Sequence, residues 1–261
     1  MYPFNYLRPK SILEAQQQVR LDSESKFIAG GMTLLPAMKH RLANPSHLID
    51  IGQLQELNAI ASKDGRLVIG ATTKHREVSN HPLVSSSILG LAQLANLIGD
   101  PQVRARGTLG GSLANNDPSA DYPAAALALN ANIVTDERII PAKDFFLGLY
   151  TTCLNDGEMI QEVQFQIPLQ STYVKLKQAA SGYALVGVFV AQFGPDDFSI
   201  AVTGVGDGVF RWTDAEFALR KKKALPPLQH DQLIEDIHAS GKYRAHMTKV
   251  LLEKALTQFT Q

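Results

Sequence analysis

Short apolar runs and helix-spaced apolar positions alternate along the first two-thirds of this chain. Ser11 to Val19 predicts a short helix, with Ser11 as its cap and Glu14 three residues on. Phe27-Ile28-Ala29 predicts a strand that ends at the paired glycines Gly30-Gly31. Thr33 is placed to cap a helix from Leu34, with Pro36 tolerated in its first turn. Further strands are expected at His47 to Ile51, Leu67 to Ala71 and Ala131 to Thr135, with helices at Leu83 to Leu97 and Pro123 to Leu129. Asp100-Pro101 reads as a break, and Gly107 to Gly111 as a glycine-dense loop. The last third changes character. Tyr173 to Lys177, Leu185 to Gln192 and Phe198 to Val205 are spaced like an antiparallel meander. Helical stretches follow at Asp214 to Lys223, His230 to Ala239 and His246 to Phe259. Strands then helices in this order mark a separate small α+β unit, with a boundary near Pro168 to Thr172.

Composition narrows the possibilities. At 261 residues, 45% of them apolar and 19% charged, the chain can bury a sizeable core. Twenty-five basic residues balance twenty-five acidic ones, which argues against a general nucleic-acid or membrane-surface binder. The densest apolar run, Ala184 to Ala191, is far too short to span a bilayer, and the first residues do not resemble a signal peptide. A single cysteine, Cys153, excludes an internal disulfide and an iron–sulfur cluster held by this chain's own cysteines. A soluble, cytoplasmic globular protein is expected.

Two segments carry candidate chemistry. Ala29-Gly30-Gly31-Met32-Thr33 places paired glycines ahead of a helix, so backbone N–H groups can approach an anion with no Cβ in the way. Thr108-Leu109-Gly110-Gly111-Ser112, preceded by Gly107, offers a second pair flanked by hydroxyls. Either loop alone is compatible with a plain turn; together they suit a long anion such as a pyrophosphate. Neither fits the Walker or the Gly-x-Gly-x-x-Gly pattern. Gly204 to Gly208 reads as a turn at a strand end. Asp121, after the Asp117-Pro118 turn, can accept hydrogen bonds from ligand hydroxyls or cap the helix that follows, and local sequence favours the cap. The seven histidines are scattered without metal-ligand spacing and read as surface or structural residues. Arg220 to Lys223 reads as a solvated helix end.

With the first loop, then Leu48-Ile49-Asp50-Ile51, then the second loop, Asp117-Pro118, Asp121 and the segment Tyr173 to Ala184 in order, nearly the whole chain resembles one family: the FAD-binding medium subunits of molybdenum hydroxylases, of the carbon monoxide dehydrogenase and xanthine dehydrogenase type. Met32 is bulkier than the family's usual residue, Asn116 replaces a small one, the C-terminal helices are short, and a cysteine-rich insertion of one branch is missing. The resemblance implies an α+β fold. Residues 1–170 would form a two-lobed FAD-binding domain of the vanillyl-alcohol-oxidase (PCMH) type, with lobes of about 1–53 and 54–170. Residues 171–261 would form a three-stranded antiparallel sheet with a helical bundle.

It further implies noncovalent FAD, held by backbone donation from both glycine loops. Asp121 matches an aspartate that contacts the flavin nucleotide, Lys177 a lysine near the flavin, Ile160 an aliphatic flavin contact, and Tyr183 an aromatic that approaches the isoalloxazine. Molybdopterin and [2Fe–2S] clusters would lie on a large and a small partner subunit, and the electrons would leave to NAD, a quinone or oxygen. The residues themselves also admit a stand-alone flavin-dependent oxidase or a non-catalytic nucleotide-binding module.

Overall fold

The computed structural model describes residues 1–259. Its first sheet is parallel and small. β1 (Asn5–Leu7), α1 (Ile12–Arg20), β2 (Lys26–Ile28), α2 (Leu34–Lys39) and β3 (His47–Asp50) follow one another, with β3 between the other two strands. Consecutive side chains of a strand face opposite ways. Accordingly Ile49 packs with Ala15 and Val19 of α1, and Leu48 with Met38 of α2. Ser11 caps α1 as expected, its Oγ accepting from the Glu14 N–H at 3.2 Å. Thr33 makes no such bond to α2, because its own backbone is already near-helical.

The second sheet is antiparallel, in the order β4 (Ile60–Lys63), β5 (Arg66–Gly70), β10 (Ile160–Gln166), β6 (Asn132–Thr135) and β7 (Ile139–Pro141). Between β5 and β6 run six short helices: α3 (His75–Asn80), α4 (Pro82–Ser87), α5 (Leu89–Asn96), α6 (Pro101–Arg106), α7 (Leu109–Asn115) and α8 (Tyr122–Ala128). A single helix over Leu83 to Leu97 is therefore not formed. Ile88 leaves the helical conformation (φ −143°, ψ 78°), and the Ser85 and Ser86 hydroxyls donate to carbonyls one turn back, which opens the break. The expected break falls between α5 and α6, and Asp100-Pro101 also starts the second helix: Asp100 Oδ1 accepts from the N–H groups of Gln102 and Val103 at 2.7 and 2.8 Å. The glycine-dense stretch is likewise the first turn of α7, capped by Thr108. After β7 come α9 (Ala142–Phe145) and a hairpin of β8 (Phe146–Gly148) and β9 (Thr151–Thr152).

The third sheet is an antiparallel meander, β11 (Gln170–Lys177), β12 (Ala184–Gly194) and β13 (Asp197–Thr203), with a two-residue fourth strand β14 (Phe210–Arg211). One face of β12 sends Val186, Val188 and Val190 towards α10 (Thr213–Arg220) and α11 (Gly241–Leu256). The other face sends Phe189 and Ala191 into the same core as α5, α8 and the second sheet. That position between two sheets is why α8, Tyr-Pro-Ala-Ala-Ala-Leu-Ala, is buried on every side. The stretch His230 to Ala239 is not helical. Leu233 makes a β-bridge to Gly206, and Asp236 accepts from the N–H groups of His238 and Ala239. No helix among the described residues is long and apolar enough to cross a membrane.

Arg244 of α11 is buried and ties this last segment together. Its Nη1 donates to the carbonyls of Leu185 and Gly204 at 2.8 and 2.7 Å, and its Nη2 to Asp236 Oδ2 at 2.7 Å. Arg244→Met leaves two carbonyls and a carboxylate without their donor. It is expected to lower unfolding free energy by about 3 kcal/mol, measured by urea denaturation of the full chain.

Candidate functional site

One cavity of 520 Å³ opens between the end of the first sheet, the helical layer over the second and a turn of the third, within the size range of small-molecule and cofactor pockets. The loop after β2 forms one wall, from Ala29 to Thr33. The α6–α7 connection forms another through Gly107, Thr108, Gly111 and Ser112. Asp117, Ala120 and Asp121 line it from the turn before α8, and Ser181, Gly182 and Tyr183 from the β11–β12 turn. Thr203 Oγ1 donates to the carbonyls of Pro118 and Ala120 at 2.9 and 2.7 Å, so the third sheet fixes the turn that carries Asp121.

Glycine is required where the two glycine loops touch. A Cβ on Gly30 would lie 2.1 Å from the Arg106 carbonyl oxygen. Gly31 has φ +72°, a left-handed conformation open to glycine. On the second loop, a Cβ on Gly110 would lie 2.6 Å from Ala71 Cβ. Among the described residues no acceptor takes the N–H of Gly30, Gly31, Met32 or Thr33, four consecutive donors in the cavity wall. The second loop differs from expectation here. Its amides already have protein acceptors: Leu109 donates to Thr73 O at 3.0 Å, Gly110 to Ala71 O at 2.8 Å, Gly111 to Thr108 Oγ1 at 3.3 Å and Ser112 to Thr108 O at 3.1 Å. That loop offers the cavity its Thr108 and Ser112 side chains and the space left by glycine.

Of the residues expected from sequence, Ala29, Gly30, Gly31, Met32, Thr33, Thr108, Gly111, Ser112, Asp121 and Tyr183 line the cavity together. Leu109 and Gly110 lie behind the wall, fully buried. Ile160 is on β10 beside Thr135, inside the second sheet's core. Lys177 is exposed at the end of β11. Asp121 does not cap α8. Its Oδ2 accepts from Lys175 Nζ at 2.9 Å and its Oδ1 from the Tyr173 hydroxyl. Burial raises the Asp121 carboxyl above its ordinary value, against the opposing pull of the Lys175 ammonium and the Tyr173 hydroxyl. Lys175 was legible only by strand alternation from Lys177, two positions on and on the same face. Burial, with Asp117 nearby, pushes the Tyr183 phenol up to about 12. Asn116 explains its own presence: at φ 43° it ends α7 in the left-handed conformation, and its Nδ2 holds the carbonyls of Gly148 and Thr151 at 2.8 and 2.7 Å.

Among the described residues no lysine or arginine lines the cavity. Its polar equipment is free amides, hydroxyls and two carboxylates, which fits a dinucleotide. Amides can meet a pyrophosphate and the carboxylates can meet ligand hydroxyls or ring N–H groups. The first-loop cradle exists only because side chains are missing there.

His75, read from sequence with the other histidines as a surface or structural residue, lines the same wall and is 4% exposed. Burial, then the nearby Arg104, lowers its pKa from 6.5 to about 4. Its folded-state value lies below the unfolded one, so its contribution to stability is present above about pH 6.5 and is lost as pH falls towards about 4. The cofactor-free chain should lose on the order of 3 kcal/mol across that window. Urea titrations at a series of pH values, with His75→Leu flattening the profile, check this.

With the geometry in place, comparison with known proteins is direct. Residues 2–170 match the family described as the FAD binding domain in molybdopterin dehydrogenase. The chain is 35% identical to the carbon monoxide dehydrogenase medium chain of Hydrogenophaga pseudoflava, over 97% of this chain and 96% of that one. It is 32% identical to the glyceraldehyde dehydrogenase medium chain of Sulfolobus acidocaldarius, over 99% of both. Its fold superposes on the solved H. pseudoflava carbon monoxide dehydrogenase lacking the Mo-pyranopterin moiety with a TM-score of 0.87, at 34% identity and over 98% of each chain. The chain therefore belongs to the family of FAD-binding domains of molybdopterin dehydrogenases, as an oxidoreductase flavoprotein subunit.

Proposed function

We propose that this chain is the FAD-carrying medium subunit of a cytoplasmic molybdenum hydroxylase complex. In that complex a large subunit binds molybdopterin and oxidises the substrate, and a small subunit carries [2Fe–2S] clusters. This chain receives the electrons from those clusters and hands them to an external acceptor such as NAD, a quinone or oxygen. The observation that carries the reading is the run of four unpartnered amides from Gly30 to Thr33, in a wall without a single cation. An unpaired buried pyrophosphate charge is very costly, and consecutive amides beside a helix start are a known way to meet it.

FAD, when bound, supplies the chemistry of accepting electrons singly and passing them on in pairs. The residues of this chain bind and orient it. Gly30 to Thr33 donate to the pyrophosphate, and Thr108 and Ser112 add hydroxyl donors from the opposite wall. Leu109 and Gly110 act from behind, by seating α7 against Ala71. Asp121, held in place by Lys175 and Tyr173, accepts from the nucleotide. Tyr183 stands at the isoalloxazine. Ile160 and Lys177 lie outside the cavity wall and contribute no contact in this reading. No histidine lies within either glycine loop, in keeping with a noncovalent link.

The purified full chain incubated with FAD should show the visible bands of a bound flavin and be bleached by anaerobic dithionite. A chain that stays colourless defeats the proposal, and one that binds a nucleotide without a reducible flavin supports a non-catalytic module instead. Gly31→Val, which forces a β-branched residue to φ +72°, should abolish FAD retention while far-ultraviolet circular dichroism keeps its helical signal.

A further inference from the structure

One polar side chain in the cavity wall has no assignment so far. His75 opens α3, and its Nδ1 is sealed from solvent with no hydrogen-bond partner. Buried ring nitrogens in folded proteins nearly always have one, and an exception calls for an explanation. Among the described residues Nε2 has no hydrogen bond either, and it lies against Gly107, where a Cβ would come within 2.5 Å of it. Gly107 is itself part of the cavity wall. It is also where the two glycine loops meet: a Cβ on Gly30 would lie 2.9 Å from Gly107 Cα. His75 thus stands beside the place where the four free amides begin.

A neutral imidazole carries one N–H. With Nδ1 enclosed and no acceptor near it, we assign the proton to Nε2, on the edge next to Gly107. Tyr122 of α8 faces the imidazole ring to ring at 5.3 Å, and the charge acting on it is the Arg104 guanidinium of α6, a donor.

We propose that His75 is a further binding residue for the dinucleotide, its Nε2–H donating to a pyrophosphate oxygen at the junction of the two glycine loops. The inference rests on the FAD reading above. It leaves Nδ1 unpartnered in both states; the gain of the loaded protein is an acceptor for the Nε2 N–H, which has none among the described residues of the cofactor-free chain.

The test uses the full chain as wild type, His75→Leu and His75→Gln, titrated at pH 7 with FAD by flavin fluorescence and with ADP as competitor. His75→Leu should weaken both FAD and ADP by about tenfold or more, the scale of one hydrogen bond to a charged group. His75→Gln, which keeps an N–H donor, should recover most of the affinity. The thermal midpoint of the cofactor-free leucine variant should equal or exceed that of wild type, because an unpaired buried polar atom has been removed. Unchanged FAD and ADP affinity in His75→Leu overturns the inference, as does weakened FAD with unchanged ADP. A cofactor-free midpoint that falls by several degrees overturns it too, by making the residue structural. His75→Ala repeats the comparison if leucine does not fold. Wild type that fails to bind FAD at all removes the functional reading itself, which is a separate outcome.

Discussion

At Gly30 two main chains approach so closely that a methyl group would sit 2.1 Å from the carbonyl oxygen of Arg106. This contact brings the loop of the parallel sheet onto the helical layer of the antiparallel one, and the rest of the site depends on it. With Gly31 bent into the left-handed region just after it, the loop cannot return its amides to its own strand. Four of them are left facing a cavity without partners. Gly30 is buried, but Met32 and Thr33 are exposed, so solvent can meet these donors until a ligand takes its place.

The electrostatics of the wall follow the same logic. A cation in the wall would hold an anion, but it would also have to be desolvated; amide dipoles need no such charge. The one deeply buried carboxylate of the wall, Asp121, is anchored by Lys175 and Tyr173 from the neighbouring sheet. Removing Lys175 would leave a buried carboxylate without its counter-charge, which is costlier than the pair is favourable. The network is better understood as fixing the direction of a carboxylate than as a source of stability.

Much of this was legible in the sequence. The meander of β11 to β13 followed its apolar alternation, and Ser11 followed the capping rule. The glycine pairs marked the cavity because glycine's conformational freedom and lack of a Cβ are local properties that do not wait on tertiary structure. What was missed depends on distant partners. The long pattern from Leu83 to Leu97 splits at Ile88, and just beyond the break the Gly90 N–H turns to Ser171 Oγ at 3.0 Å, more than eighty residues away in sequence. β10, Ile-Gln-Glu-Val-Gln-Phe-Gln, alternates clearly, yet its place at the centre of the second sheet is set by pairing with β5 and β6. His230 to Ala239 looked helical, but its β-bridge to Gly206 and its ties through Asp236 draw it out. The second loop's amides were expected to be free, and only the fold shows that Thr73, Ala71 and Thr108 already accept from them.

The wall is assembled from the loop after β2, the helical layer over the second sheet and the β11–β12 turn, and the second and third sheets already share one core while the first keeps its own. A molecule seated there touches all three walls at once, and so ties the first sheet to the core that the other two share. Occupancy and folding are then one equilibrium: every tenfold rise in free dinucleotide above its dissociation constant adds about 1.4 kcal/mol to the cohesion of the whole chain. A newly made copy would reach its full firmness only after filling, which makes loading a natural checkpoint in assembly.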